Sequence, residues 1–407
     1  MPIPVMLRLG SQEPLRSLRL SVWEGALAIL FINWSTGVVV TGYALWLGAS
    51  PAALAVLGAI PLLSQLAAPF ALMFKGQRKP YTILLAGWGR ALFALVLLVP
   101  LLPEPLRIPA FLLIAALSQL VVAPVNVLWT SWMADLVPPR ERGRYFGFRN
   151  AVLGLVGTVG NLSAGAFIDA MPDPWGFLIV LGLGVLLGIM ASQVLRWQHE
   201  PPHVSSSASG SLRTALSDRV FLGFLGFIGL WWMAVMVGGP FAFPYFLQYA
   251  KLNFTEVGLW TLISASCGLL FGPLWGRFAD RYGHGVVLVW TGLVGSIVLP
   301  GLWLLGGPGH TFPIWLAAVA DALCWSGLGA AQTNAALQQA PAVHRGAYLA
   351  VFGIVVGVCG MLGSALGGAL GSLHLGPSPY HLPIAASIVL RTLAVGYLLW
   401  LRRADGR

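Results

Sequence analysis

Charged side chains are scarce in this sequence. Only 9% of its 407 residues are Asp, Glu, Lys or Arg, whereas an average soluble domain carries about 25%. Hydrophobic residues make up 57%, and the mean hydropathy is +0.82. A soluble protein of this length would have too little charge to cover its surface. The composition therefore excludes an ordinary cytosolic enzyme, a disordered chain and a coiled coil, and it indicates a helical, polytopic membrane protein.

Cysteine and the common catalytic motifs are also scarce. Cys267, Cys324 and Cys359 each lie in an apolar stretch without disulfide or metal-site spacing, so we interpret them as small core residues. No G-x-x-x-x-G-K-[ST] loop, G-x-S-x-G or H-E-x-x-H motif occurs, which argues against ATP-driven transport and intramembrane catalysis. We expect a protein that is not an enzyme and that needs no cofactor or metal.

Apolar segments long enough to cross a membrane, about 20 residues each, are abundant. Their breaks fall at charged or Pro/Gly-rich points. The sequence predicts an all-α membrane protein with twelve helices, numbered 1 to 12 in chain order: 22–47, 51–74, 80–102, 108–136, 145–170, 175–197, 219–249, 255–278, 285–306, 311–339, 346–373 and 381–401.

The longest gap between these helices, 198–218, is polar, rich in Ser and central in the chain. Such a segment is typical of a linker between two folded halves. We predict an N-terminal six-helix bundle over 1–197, a cytoplasmic linker over 198–218 and a C-terminal six-helix bundle over 219–407.

The formal net charge is +10, from 23 Lys and Arg against 13 Asp and Glu. With twelve spans, only Arg107 and Lys251 fall on one side, Arg90 and Arg391 fall within spans, and the other basic residues share the opposite side. The positive-inside rule assigns that side to the cytoplasm. We therefore expect a bacterial-type inner (plasma) membrane protein with both termini cytoplasmic. The charge then reflects orientation, not a nucleic-acid partner.

The two halves repeat each other along the sequence. Helices 5 and 11 begin with the same Pro-x-x-x-Arg-Gly-x-Tyr pattern, and both continue with glycines at spacing three. A tight turn followed by a smooth helix stripe would let a neighbouring helix approach closely, and two parallel repeats favour an alternating-access carrier. The matching pairs are Pro138/Pro341, Arg142/Arg345, Gly143/Gly346, Tyr145/Tyr348, Gly154/Gly357, Gly157/Gly360, Gly160/Gly363 and Gly165/Gly368.

A loop motif between helices 8 and 9 links this pattern to a known family. Residues 276–283 read GRFADRYG, which fits the G-x-x-x-D-R-x-G loop of the major facilitator superfamily. Together with the span count, the linker and the repeat, the motif makes essentially the whole chain resemble that family. The corresponding first-half loop keeps Gly76 and a basic run but has Met73 where the family has Asp.

The resemblance implies that this loop is a conformational latch. Asp280 would accept hydrogen bonds from the start of helix 5 and hold the cytoplasmic side shut in the outward-open state. The alternative is a solvated loop that only contributes to the charge asymmetry. The latch candidates are Gly276, Asp280, Arg281, Gly283, Arg142 and Arg345.

Ionisable residues inside spans are candidates for function by default. Family helices 1, 4, 7 and 10 line the transport cavity, so Asp321 in helix 10 is the first candidate for proton coupling or for binding a cationic substrate. Glu24, Arg90 and Arg391 are further candidates for proton coupling or substrate charge. For each, a structural ion pair or hydrogen bond is the alternative.

Neutral polar and aromatic residues of the same helices could line a cavity for a moderately apolar organic molecule. Helix packing explains any single one of them equally well. The candidates are Asn33, Trp34, Gln119, Asn126, Trp129, Trp231, Trp232, Trp325, Gln332 and Asn334.

The predicted function is secondary active transport of a small organic solute by alternating access, driven by protons or by the solute gradient. High aromatic content and few intramembrane charges favour export, although helix 5 lacks the Gly-Pro motif of many family antiporters. A non-transporting receptor or sensor and a lipid-moving protein are the alternatives. We expect a monomer whose partners are a small-molecule solute, protons and the lipid bilayer.

Overall fold

The computed structural model describes residues 12–74, 76–138, 140–201, 212–341 and 344–404. These residues contain twelve helices long and apolar enough to cross a membrane, which confirms the predicted all-α, twelve-helix class. The predicted and observed bounds differ most for helix 1, which begins at Leu15 and not at the predicted residue 22. The observed helices 1 to 12 are Leu15–Trp46, Pro51–Ala71, Arg78–Leu101, Glu104–Leu136, Arg142–Ala170, Trp175–Trp197, Arg219–Tyr249, Phe254–Tyr282, His284–Leu305, Phe312–Gln339, Gly346–Ser372 and His381–Arg403.

Helices 7 and 9 are not regular throughout. In helix 7 the α-helix Arg219–Gly238 is followed by a 3₁₀ turn at Gly239–Phe241 and a π turn at Tyr245–Tyr249. Pro240 lies in this region, and its missing N–H prevents a regular ladder there. Helix 9 contains a π turn at Val294–Val298. The irregular turns lie in the last third of helix 7 and at the middle of helix 9, where backbone carbonyls depart from regular α-helical pairing.

The contacts divide the chain into two compact units. One comprises Met1–Gly48 and Ser64–Ser205, and the other comprises Ala49–Leu63 and Ser206–Arg407. In the first, helix 1 packs on helices 5 and 6, and helix 3 packs on helices 4 and 6. In the second, helix 7 packs on helices 11 and 12, and helix 10 packs on helices 8 and 9. The boundaries at 197 and 219 stay a prediction, and residues 202–211 of the predicted linker lie outside the described residues.

Within the second unit, the first part of helix 2 packs on helix 11. The hydroxyl of Ser364 donates to the backbone oxygen of Ala55 across 2.6 Å. A Cβ placed on Gly368 would lie 2.8 Å from the Cβ of Ala55, so only glycine permits this approach. The expected smooth stripe is therefore present on helix 11.

In the first unit, the glycine stripe of helix 5 packs against helix 1. A Cβ on Gly157 would lie 2.7 Å from Nδ2 of Asn33, and one on Gly160 would collide with the side chain of Leu30. Nothing lies within 4 Å of the equivalent point on Gly154. The predicted close approach thus holds at Gly157 and Gly160 but is wrong for Gly154.

The repeated tyrosines fasten the starts of helices 5 and 11 within their own units. Tyr145 donates its hydroxyl to the backbone oxygen of Leu18 at 3.1 Å. Tyr348 donates to Oδ2 of Asp218 at 3.0 Å, while Oδ1 of Asp218 accepts from the first backbone N–H groups of helix 7. Each tyrosine therefore joins helix 5 or 11 to the first turn of helix 1 or 7.

The repeated arginine closes the preceding turn. Arg142 donates through Nε to the oxygen of Val137 at 3.2 Å and through Nη2 to the oxygen of Ala134. These are among the last carbonyls of helix 4, which have no partner inside their own helix. The second copy, Arg345, begins the helix Arg345–Ser372, and its side chain lies outside the described part.

Candidate functional site

Asp321 lies within helix 10 of the second unit, half-buried. The hydroxyl of Ser264, on helix 8, lies 2.6 Å from its Oδ2. Among the described residues, no Lys, Arg or His nitrogen lies within 4.0 Å of its carboxylate. A carboxylate at membrane depth is costly unless paired, so Asp321 is held by a neutral partner at a position where charge is unfavourable.

An aromatic surface continues from Asp321 along helices 10 and 7. Trp325, one turn further on, packs against Trp232 with ring centroids 5.9 Å apart. Nε1 of Trp232 donates to Oε1 of Gln332 at 3.2 Å. All three are half-buried. The second unit therefore brings four of the predicted site residues into one polar–aromatic surface.

Trp231 has a different position from its neighbour Trp232. Its side chain is fully buried. Its ring packs tightly against Gly295, because a Cβ added to that glycine would lie 3.1 Å from the nearest ring atom. It belongs to the core cluster that includes Cys324 and Phe227. In the first unit Trp34 is also buried, against Gly160 and Gly184. Packing accounts for both tryptophans.

Arg391, at the middle of helix 12, is only 2% exposed. Its Nη1 donates to the oxygen of Gly295 at 2.8 Å, and Nη2 donates to the oxygen of Val235 at 3.3 Å. Gly295 lies in the π turn of helix 9, where the backbone carbonyls depart from regular α-helical pairing. Arg391 thus bridges helices 9 and 7 through their main chains.

Arg90, at the middle of helix 3, is 5% exposed. Its Nη1 donates to the oxygen of Gly188 at 2.7 Å and to Oγ of Ser192 at 2.8 Å, both on helix 6. The guanidinium also lies 5.9 Å from the ring centroid of Phe31 on helix 1. Arg90 therefore joins helices 1, 3 and 6, and Arg391 joins the corresponding helices 7, 9 and 12 of the second unit.

The two arginines occupy matching three-helix junctions but come from different helices. Both donate to carbonyl oxygens of their own unit, which offsets part of the cost of a cation in the bilayer, while Nε of each has no hydrogen-bond partner among the described residues. This arrangement favours the structural alternative that the sequence left open for Arg90 and Arg391.

Glu24 in helix 1 forms a buried ion pair with Arg149 in helix 5. Oε2 of Glu24 and Nη2 of Arg149 are 3.3 Å apart, and the two side chains are 7% and 10% exposed. Nε of Arg149 also donates to the oxygen of Ser21 at 3.3 Å. The guanidinium stacks over Trp129 of helix 4, 4.4 Å from the ring centroid. Glu24 and Trp129, two predicted candidates, thus meet at one charged site of the first unit.

The remaining neutral candidates are scattered. Asn33 and Gln119 are half-buried, whereas Asn126 and Asn334 are exposed. Asn33 packs close to Gly157 of helix 5. The exposed side chains of Asn126 and Asn334 are free to face a solute, lipid or water.

Most residues of the G-x-x-x-D-R-x-G motif between helices 8 and 9 are exposed at the surface of the second unit. Gly276, Asp280 and Arg281 are exposed. Arg281 lies 5.3 Å from the ring centroid of Tyr282. Gly283 has φ +85°, a left-handed conformation that favours glycine, and it ends one helix and begins the next.

At the corresponding place in the first unit, a charge cluster surrounds the start of helix 3, which follows the loop. Nη1 of Arg78 lies 2.7 Å from Oδ2 of Asp135. The backbone N–H groups of Arg78 and Lys79 donate to Oε1 and Oε2 of Glu200 at 2.6 and 3.1 Å. Glu200, which follows helix 6, thus caps the start of helix 3. The family aspartate is absent here, and this cluster fixes the start of helix 3 instead.

Arg149 and Ser264 were not predicted as site residues. The sequence placed Arg149 in the cytoplasmic charge excess, yet it lies buried beside Glu24. Its position inside the predicted helix 145–170 was the available signal, because an arginine within a span needs a partner. Ser264 gave no signal, since a serine in an apolar helix is common.

Sequence comparisons agree with this architecture. The chain matches the Major Facilitator Superfamily over residues 22–249 and 239–407. It is 28% identical over 156 residues to YcaD of Escherichia coli, named as an uncharacterized MFS-type transporter, with 35% of this chain and 38% of that protein covered. YcaD of Salmonella paratyphi B is 26% identical over 167 residues, covering 38% and 41%. The chain thus aligns with well under half the length of these relatives.

Solved structures share the fold at low sequence identity. The nucleoside transporter NupG has a TM-score of 0.69 and 13% identity, covering 97% of this chain and 99% of that one. A D-xylose–proton symporter has a TM-score of 0.72 and 15% identity, covering 94% and 96%. With its matched length, twelve helices and loop motif, this chain belongs to the Major Facilitator Superfamily of membrane transporters.

Proposed function

We propose that the protein is a secondary active transporter that moves a small organic solute by alternating access and couples this movement to protons. Asp321 carries the proposal. It is a carboxylate within a membrane helix, and it accepts from the neutral hydroxyl of Ser264. No Lys, Arg or His nitrogen of the described residues lies within 4.0 Å of it, and the guanidinium of Arg391 acts on it only from a greater distance. Binding and releasing a proton there would change the charge of the site. The related fold of a D-xylose–proton symporter is compatible with such coupling.

The solute class follows from the surface beside Asp321. Trp232 and Trp325 offer apolar ring faces, and Gln332 offers an amide. Aromatic surfaces with few polar groups suit a moderately apolar organic molecule. For direction, we propose export, because few charges lie in the spans to hold a strongly polar nutrient.

The test is flux in proteoliposomes with an imposed pH gradient and a panel of organic solutes, drug-like molecules and metabolites included. We expect at least one solute to accumulate against its own gradient. This accumulation should stop when a protonophore collapses the pH difference. Reversing the gradient should reverse the flux, and the orientation of the protein then gives the direction. Solute binding without flux would support a receptor or sensor instead.

The proposed latch at Asp280 gives a separate prediction. A carboxylate that stabilises a helix start loses most of this effect as an amide. In a variant lacking the native cysteines and carrying Asn334→Cys as reporter, Asp280→Asn should raise maleimide labelling from the arginine-rich side several-fold. Asp173→Asn, an exposed change of the same kind, is the control. Equal labelling rates in the two variants would show that Asp280 is only a solvated loop residue.

A further inference from the structure

A pocket of about 350 Å³ opens in the second unit between the start of helix 7, the start of helix 9 and the ends of helices 10 and 12. It lies at the end of helix 7 opposite the loop to helix 8. Of the predicted site residues, Gly283 of the loop motif lines it, and the polar and aromatic residues around Asp321 do not. The lining residues that define its chemistry are Arg219, Phe224, His284, Leu288, Gln339 and Arg402.

The charged side chains that line this pocket are all positive. Arg219 and Arg402 line it, and none of its lining residues is Asp or Glu. Neither arginine forms an ion pair with any described residue. Asp218, adjacent in sequence, already accepts from Tyr348 and from the start of helix 7. Two guanidinium groups therefore face the pocket without a neutralising carboxylate.

Polar atoms inside the pocket also lack partners. Nδ1 of His284 and Oε1 of Gln339 are buried without a hydrogen bond to any described residue. The helix that begins at His284 follows Gly283, which provides no side-chain cap, so its first N–H groups need acceptors from elsewhere. Buried polar groups are rarely left unsatisfied in folded proteins. An acceptor-rich anion would satisfy an N–H of the imidazole and the N–H groups of the helix start, whereas the oxygen of Gln339 would need a donor.

The rest of the lining is apolar. Phe224 and Leu288 lie behind the charged groups, and Leu398 and Leu401 of helix 12 continue the wall. A site that offers guanidinium groups beside aliphatic side chains fits an amphiphile whose charged head is a phosphate. Basic pockets between helices at this membrane face are known sites for anionic lipid headgroups.

We propose that this pocket binds a phosphate-bearing anion through Arg219, Arg402 and His284, with the headgroup of an anionic phospholipid as its natural source. Arginine forms paired hydrogen bonds with phosphate, and the acyl chains would run along Leu398 and Leu401. The site is distinct from the surface around Asp321. It would stabilise the cytoplasmic end of the second unit whether or not solute is present.

The test is thermal unfolding of the full-length purified protein after delipidation in detergent. It is titrated with dioctanoyl phosphatidylglycerol, with dioctanoyl phosphatidylcholine, and with inorganic phosphate against chloride of equal ionic strength. We expect phosphatidylglycerol to raise the Tm saturably and phosphatidylcholine to leave it unchanged. Replacing Arg219 and Arg402 by Gln should weaken the apparent affinity by about tenfold or more for each arginine.

Arg403→Gln is the matched control, because Arg403 is exposed and does not line the pocket. A second variant, Gln338→Trp, fills the pocket from its exposed edge and keeps both arginines. It should lose the response to phosphatidylglycerol, and it serves as the readout if the arginine variants do not fold. Stabilisation by inorganic phosphate that competes with phosphatidylglycerol would support the site and make free phosphate a ligand. An equal effect of phosphatidylcholine, an equal loss in Arg403→Gln, or no response to either phosphate source would overturn the proposal.

Discussion

Asp321→Asn should abolish pH-driven accumulation of the solute in proteoliposomes, down to the level of protein-free vesicles. The amide keeps the size of the side chain and its contact with Ser264, but it cannot exchange a proton in the physiological range. Exchange of labelled for unlabelled solute, which needs no net proton movement, should continue. The measurement is uptake and exchange at several external pH values with the same preparation.

The two assays separate the two roles that remain for Asp321. Loss of both accumulation and exchange would mean that the carboxylate binds a cationic solute and does not carry a proton. Accumulation that keeps the wild-type dependence on pH would contradict any coupling role. Asp173→Asn removes a carboxylate of the same kind at an exposed loop position, and it should behave as the unmodified protein.

Glu24→Ala should lower the free energy of unfolding by about 3–5 kcal/mol, the usual cost of leaving one partner of a buried ion pair alone. Arg149 would then stand between Ser21 and Trp129 with no counter-charge in a site where the pair is at most 10% exposed. Denaturant titration in mixed micelles, followed by intrinsic fluorescence, measures this loss. Glu104→Gln, at an exposed helix start, should change stability little.

The double variant Glu24→Leu/Arg149→Met tests whether the stability lost in Glu24→Ala comes from leaving the Arg149 charge unpaired or from losing the packing of the Glu24 side chain. Apolar replacement of both members of a buried pair is often neutral or stabilising, so this variant should recover most of the stability lost in Glu24→Ala. If the pair also takes part in transport, the recovered protein will fold but its flux will stay low. Additive losses in the double variant would show that the two side chains do not depend on each other.

The sequence was sufficient for the fold because membrane spans are encoded locally. About 20 apolar residues in a row define a span without knowledge of its neighbours, and the collection of basic residues in every second loop predicts its direction. The repeated Tyr145 and Tyr348 could also be found in sequence, although the acceptors Leu18 and Asp218 could not.

The site was predicted only in part because its partners are distant in sequence. Arg90 and Arg391 were recognised as costly residues, but the carbonyl oxygens that hold them belong to the main chain, which carries no sequence signal. Arg149 looked like one more cytoplasmic arginine until helix packing placed it beside Glu24. Depth in the membrane can be estimated from a sequence, whereas the identity of a partner depends on how helices pack.

The contact between Ser364 and Ala55 has a consequence for dividing this protein. A cut within residues 202–211 would give a C-terminal fragment with helices 7 to 12 but without residues 49–63, which belong to the same compact unit. The face of helix 11 around Gly368 would then be uncovered, with the hydroxyl of Ser364 lacking its acceptor. Co-expression with an N-terminal fragment that contains helix 2 should therefore rescue the yield of the C-terminal fragment.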